Sequence, residues 1–284
     1  MKGPKPQRHA THSRVAFCAL ALSIGSISGI TGCSESNGPA SQELPGTLGI
    51  PVFGNISVSI PSGAATLSTN AYGQNPLVIL DGSRVTWTNN DALPHTVTST
   101  GVPPVFDSGL MNTGTSFTRL FTSLGTFPYF CSIHPNMVGS VAVIEGDFEG
   151  ILSGDQEIPP VVTNASGTAD VEPEEDGTEL RVRLTFSGLS SPIAAMHIHQ
   201  GAAGVNGPII FNIPGPFVSP LEREISAASV QLRPEVGVNS FADAINAMIR
   251  GETYVNIHTA QNPGGEIRAQ LVFETDEDDG EDSN

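Results

Sequence analysis

Lysine is nearly missing: Lys2 and Lys5 are the only two among 284 residues, and basic residues total 12 against 29 acidic ones. Lys2, Lys5, Arg8 and Arg14 all precede the first acid, Glu35. The chain after Cys33 therefore holds 12 − 4 = 8 basic and 29 acidic residues, a net −21 against −17 for the whole. Such a surface repels phosphate backbones and disfavours nucleic-acid binding. It attracts basic partners, and the same charge also serves solubility. Cysteine is scarce. Cys18 lies in an apolar N-terminal run, Cys33 ends that run and Cys131 stands alone, so none is left for a disulfide. No long amphipathic helical pattern is present and aromatics make up 6 %, whereas glycine (31) and proline (22) are plentiful. An all-β protein rich in turns is expected, long enough for two small domains, each with its own core.

Residues 1–14 are basic, and Val15 to Ile30 are apolar or small. Basic, then apolar, then small is the order of a secretory signal, too short and too rich in serine and glycine for a membrane span. The run ends Ile30-Thr31-Gly32-Cys33, which resembles a bacterial lipobox. On that resemblance residues 1–33 are removed up to Cys33, and Cys33 is lipidated and becomes the membrane anchor. Ser34 after the cysteine implies the outer membrane, so an exported, periplasmic or cell-surface location is expected. Residues 34–47 have no apolar period and read as a flexible linker.

From Leu48 the pattern is one of short strands. Ile56, Val58 and Ile60 alternate with serines, and Asp81-Gly82-Ser83-Arg84 is a turn signal joining a strand at Leu77–Leu80 to one at Val85–Thr88. Val85 and Trp87 are expected inward and Thr86 and Thr88 outward. Phe117, Leu120, Phe121 and Phe127 add core, and Val141–Ile144 closes a sandwich over residues 48–145. Residues 145–150 mark a junction, and a second β-rich unit occupies 147–273, where Leu180, Val182, Leu184 and Phe186 alternate with polar residues. One helix is expected, with Ser240 as N-cap, Asp243 three residues on, and Gly251 as the stop. Residues 274–284 hold seven acids in eleven and read as a disordered tail.

The chemistry is concentrated at Cys131-Ser132-Ile133-His134-Pro135-Asn136-Met137, a thiolate, an imidazole and a thioether at a spacing of three and three. His95 lies 36 residues upstream. Two histidines, a cysteine and a methionine at longer range make the ligand set of a mononuclear blue-copper centre. Residues 48–145 resemble the cupredoxins, the plastocyanin and amicyanin group. The resemblance is carried by Val85-Thr86-Trp87-Thr88-Asn89, Pro94-His95-Thr96-Val97, and Gly125–Gly139 with its short amicyanin-like Cys-x-x-His-x-x-Met loop. It implies a Greek-key β-sandwich holding one type-1 copper on His95, Cys131, His134 and axial Met137. Thr96 stands where the family often has asparagine, which bears on the hydrogen bond to the thiolate. Leu93, Pro94, Pro135 and Val138 are read as an apolar collar around an exposed edge of His134.

Residues 147–273 resemble the CHRD domain, named from chordin. The motifs are Leu152-Ser153-Gly154-Asp155-Gln156-Glu157, Met196-His197-Ile198-His199-Gln200-Gly201, Tyr254-Val255-Asn256-Ile257-His258-Thr259 and Gly264-Gly265-Glu266-Ile267-Arg268. A second β-sandwich or barrel with one short helix follows from it. His197 and His199 at i and i+2 share a strand face, and His258 belongs to another strand. Two readings stand for these three: a second metal site, or a structural hydrogen-bonded cluster.

A copper-binding electron-transfer protein is therefore expected, with no catalytic residues. Cys131 is flanked by Phe130 and Ser132, whereas multicopper enzymes place histidines beside the copper cysteine. By analogy the partner is a redox protein such as a c-type cytochrome or a membrane oxidase. The alternative is non-catalytic copper binding, or an extracellular interaction module in which the CHRD domain binds a partner.

Overall fold

The computed structural model describes residues 49–174 and 176–274. The leader with its lipobox and Cys33, the linker at 34–47, and the acidic tail beyond Glu274 lie outside the described residues.

Residues 55–144 form two small sheets. One holds β1 (Asn55–Ile60), β3 (Ser83–Asn89) and β5 (Ser116–Phe121), in the order β1-β3-β5. The other holds β2 (Leu77–Leu80), β4 (Thr98–Ser99), β6 (Gly125–Phe130) and β7 (Val138–Ile144), in the order β2-β7-β6-β4. The pairs β1·β3 and β2·β7 are parallel. The core between the sheets centres on the fully buried Trp87, ringed by Phe106, Phe117, Phe121 and Tyr129. Its indole N–H donates to the Tyr129 hydroxyl at 3.1 Å. On the outer face Thr86 pairs with Thr118 and Thr88 with Ser116 through their hydroxyls, at 2.9 and 2.8 Å.

The expected turn after Leu80 joins β2 to β3, which belong to different sheets, so Gly82, at φ 76°, turns a corner between them. β2 is buried along its whole length and needs β7 beside it rather than a strand open to water. Leu120 is not core. With Phe117 and Phe121 inward, Leu120 falls half-buried outside the sandwich cluster.

Only Glu145 and Gly146 separate β7 from β8 (Asp147–Ser153), and Phe148 of β8 is already fully buried. The strands that follow are β9 (Ser166–Pro173), β10 (Glu179–Ser187), β11 (Ile193–Gln200), β12 (Ile209–Asn212), β13 (Leu221–Ser226), β14 (Thr253–Thr259), β15 (Ile267–Gln270) and β16 (Val272–Glu274). They make one nine-stranded sheet in the order β12-β11-β14-β15-β8-β9-β10-β13, with β16 on β8. All nine strands contribute to a single apolar core, so the sheet curls round itself as a near-barrel rather than forming two facing sheets.

Helix α1 (Phe241–Ile249) plugs that core. Ser240 Oγ accepts from the Asp243 amide at 3.1 Å, Asp243 Oδ2 accepts from the Asn239 amide at 3.0 Å, and Gly251, at φ 68°, stops the helix. The same helix grips the first unit. Asn246 accepts from the Phe53 amide at 3.0 Å and donates to its carbonyl at 3.1 Å. The Phe53 ring, 5 % exposed, packs edge-on to Phe241 at 6.0 Å. Gly54 permits the approach, since a Cβ there would sit 2.6 Å from Ala242 Cβ. Phe53 and Leu80, from the first unit, thus complete the core of the second.

Candidate metal centre

Asn89, at the buried end of β3, folds the next loop. Its Nδ2 donates to the Leu93 and Met111 carbonyls at 2.8 and 2.9 Å, and its Oδ1 accepts from the Asp91 amide at 2.9 Å. His95 follows, fixed through its backbone, which donates to Met111 O at 3.1 Å and accepts from Met111 N at 2.8 Å. Its ring is fully buried, with Nε2 2.9 Å from Asp91 Oδ2. A carboxylate only accepts, so Nε2 carries the proton and the lone pair is on Nδ1. That hydrogen bond outweighs burial and holds the Asp91 carboxyl at about 2.

The second arm is the turn between β6 and β7. Cys131 N donates to Met137 O at 3.0 Å and Met137 N to His134 O at 2.8 Å, closing a tight loop. Cys131 Sγ lies 3.8 Å from His95 Nδ1 and 3.7 Å from His134 Nδ1, and the two Nδ1 atoms are 3.2 Å apart. Three donor atoms so converged are stable only around a proton or a cation. A buried thiolate and two imidazoles suit a soft late-transition ion, so the residues present fit copper. Met137, fully buried, closes the same loop.

Thr96 proves more than a replacement for asparagine. Its backbone N–H donates to Cys131 Sγ at 3.3 Å, while its Oγ1 accepts from the Ser132 amide at 2.8 Å and donates to Ser132 Oγ at 3.2 Å. The hydroxyl thus ties the histidine arm to the cysteine arm. Behind it Tyr72 donates to the Thr96 carbonyl at 2.7 Å. Burial, with Cys131 and Tyr129 adding to it, pushes the Tyr72 phenol far above its ordinary range and keeps it a donor. His134 alone among the three donors reaches solvent. Ile133 (44 % exposed) and Pro135 flank it in sequence with Val138 half-buried beyond, and on the His95 arm Leu93 is 49 % exposed and Pro94 half-buried. Asp91 and Ile133 were missed by sequence reasoning. A carboxylate four residues before a histidine has no periodic signature, whereas Ile133, between two ligands, was there to be counted.

A family model described as the CHRD domain matches residues 148–271. Amicyanin-alpha of Methylorubrum extorquens is 39 % identical over 74 residues, 25 % of this chain and 62 % of that protein. The chain thus spans less than two thirds of that relative's length. Amicyanin of Paracoccus denitrificans is 29 % identical over 134 residues, 46 % of this chain and 96 % of that protein. The chain joins a cupredoxin to a CHRD domain. Among solved structures, a purple cupredoxin from Nitrosopumilus maritimus is 36 % identical, covering 31 % of this chain and 98 % of that one with a TM-score of 0.29.

In the CHRD domain His197, His199 and His258 are also brought together, each offering a ring nitrogen within 4.8 Å of the others.

Proposed function

We propose that the chain is an exported one-electron carrier rather than an enzyme, in which His95, Cys131, His134 and Met137 would hold one type-1 copper. The convergence of Cys131 Sγ with two histidine Nδ1 atoms 3.2 Å apart carries this reading, and the amicyanin likeness supports it. Bound copper would supply a centre that changes charge by one. The chain's residues supply the rest. Asp91 fixes the tautomer of His95, the Thr96 amide stabilises the thiolate, and the β-framework holds the donors in one arrangement for both oxidation states, which keeps reorganisation small. The half-exposed His134 is the electron port, and Leu93, Ile133 and Pro135 form its docking rim. A redox protein with an apolar contact and a basic periphery suits that rim and the acidic surface. Lipidation at Cys33 would hold the carrier at a membrane, the outer one by its Ser34.

The test is visible absorption and EPR of the Cu(II)-loaded chain beside Cys131→Ser. An intense thiolate-to-copper band with narrow copper hyperfine splitting, absent from the variant, is the expected result. A pale spectrum with ordinary tetragonal copper, identical in both proteins, would overturn the proposal.

A further inference from the structure

The three CHRD histidines lie on the sheet face turned away from the apolar core. Their neighbours in sequence, Met196, Ile198 and Ile257, point inward and are buried. In the antiparallel pairing of β11 with β14, His199 faces Tyr254, His197 faces Asn256 and Ala195 faces His258. His258 is thus the diagonal neighbour of His197, within side-chain reach on a shared face. Ring centroids are 4.8 Å apart for His197–His258, 5.5 Å for His197–His199 and 5.8 Å for His199–His258.

Their hydrogen bonds fix which nitrogens are free. His199 Nδ1 lies 2.9 Å from the Gly207 carbonyl and His258 Nδ1 lies 3.1 Å from the Pro263 carbonyl. A carbonyl can only accept, so both Nδ1 atoms carry hydrogen and both Nε2 atoms carry lone pairs. Those two Nε2 atoms and Nδ1 of His197 are buried without any partner. A purely structural cluster would satisfy its polar atoms, because an orphaned buried acceptor forfeits its hydration with nothing in return. Here three orphans occur side by side, with His199 only 9 % exposed. Ring N–H groups donating to backbone carbonyls are also the outer support by which metal-bound imidazoles are oriented.

The surroundings favour neutral ligands. Tyr254 stacks on His199 at 4.8 Å and 8°, and the Arg268 guanidinium lies 3.4 Å from the centre of that same tyrosine ring. Burial lowers the basicity of all three histidines, with His258 adding to the effect on the other two.

The geometry points to a second metal site, in which His197, His199 and His258 hold one divalent imidazole-seeking ion, Cu(II) or Zn(II), independently of the Cys131 centre. Metal–nitrogen bonds of about 2.0–2.1 Å put tetrahedral ligand nitrogens roughly 3.3–3.4 Å apart, and the three rings already offer nitrogens within 4.8 Å of one another. Three protein ligands leave a coordination position for water or a small anion.

The experiment loads the full chain with Cu(II), and separately with Zn(II), and counts bound metal after desalting. Wild type, Cys131→Ser, His197→Gln and His258→Gln are compared, with thermal unfolding checking the fold of each. Two Cu(II) per chain are expected in wild type. His197→Gln and His258→Gln should each fall to one while retaining the thiolate-dependent band. Cys131→Ser should keep one copper, with a tetragonal EPR signal showing nitrogen hyperfine structure. Retention of one Zn(II) by Cys131→Ser that His197→Gln loses would identify a site open to both ions, and Cu(II) alone would mark it as copper-selective. Metal content unchanged by either histidine substitution in a folded protein would overturn the site and leave the cluster a structural one, without touching the Cys131 centre.

Discussion

Asp91 is the residue whose role can be isolated most cleanly. A carboxylate on His95 Nε2 adds negative charge behind the ligand and so favours the more highly charged state of a bound metal. Asp91→Asn keeps the size and a hydrogen bond but removes the charge. Its reduction potential should rise by on the order of 50 mV, about a tenfold shift in a one-electron equilibrium. Protein-film voltammetry reads this directly, and an unchanged or lowered potential would contradict it. Thr96→Val should leave the amide bond to Cys131 Sγ in place. It removes the hydroxyl that accepts from Ser132 N, so the loop, and with it metal retention, should suffer more than the potential does. Metal off-rates and voltammetry separate the two. The convergence of His95, Cys131 and His134 was legible in the sequence because a thiol and imidazoles at this spacing have few other uses. Asp91 and the Thr96 hydroxyl were not, because their contributions depend on a loop shape set by Asn89.

Elements were legible where period decides and obscure where topology does. Trp87 and Val85 inward, and Ser240 capping α1, follow from local rules, and the structure has them so. The turn at Gly82 was legible, but not that it carries the chain from one sheet to the other, because turn chemistry states that the chain turns, not which sheet receives it. Glu266, immediately before β15, was quoted only as part of a motif. It is fully buried, and burial raises its carboxyl. Bonds from the Ser190 amide and hydroxyl, Thr259 and Thr163, all at 2.7–2.8 Å, outweigh this and hold it at about 2. A carboxyl lowered on folding adds stability above its unfolded value of 4.5, and that stability is lost as pH falls towards 2. Glu266→Gln should therefore cost about 2 kcal/mol at neutral pH. The difference from wild type should shrink steadily below pH 4.5, as urea titrations across that range would show. A pH-independent deficit would mean that the charge is not what matters.

At the scale of the molecule, the contact between the two domains was the least legible feature. Nothing in Pro51-Val52-Phe53-Gly54 announces a phenylalanine destined for the core of the other domain, nor in Asn246, 193 residues on, a clamp for its backbone. Removing the ring leaves a cavity in the CHRD core, and Phe53→Ala should cost about 3–5 kcal/mol. Because Phe53 belongs to one domain and its pocket to the other, calorimetry should show one cooperative transition in wild type and two in the variant. A single transition in both would show that the domains are coupled by something else. The strands also set the polarity of the cupredoxin. β3 begins beside Gly54 and ends at Asn89, next to the histidine loop, while β7 begins after Met137 and ends at the β8 junction. Seven residues of strand at about 3.3 Å each put roughly 20 Å between the CHRD contact and the metal donors.

That arrangement has a mechanical meaning. The chain enters the described structure at Gly49, and a pull from that side first meets the neighbouring backbone bonds of Val52, to Val78 and Leu80, and of Phe53, to Asn246. It then meets the parallel β1·β3 ladder, loaded lengthwise so that its bonds share the strain in shear. Force is spent at the end remote from Cys131. The donor loops, which tolerate least displacement, lie downstream of both restraints and feel tension last.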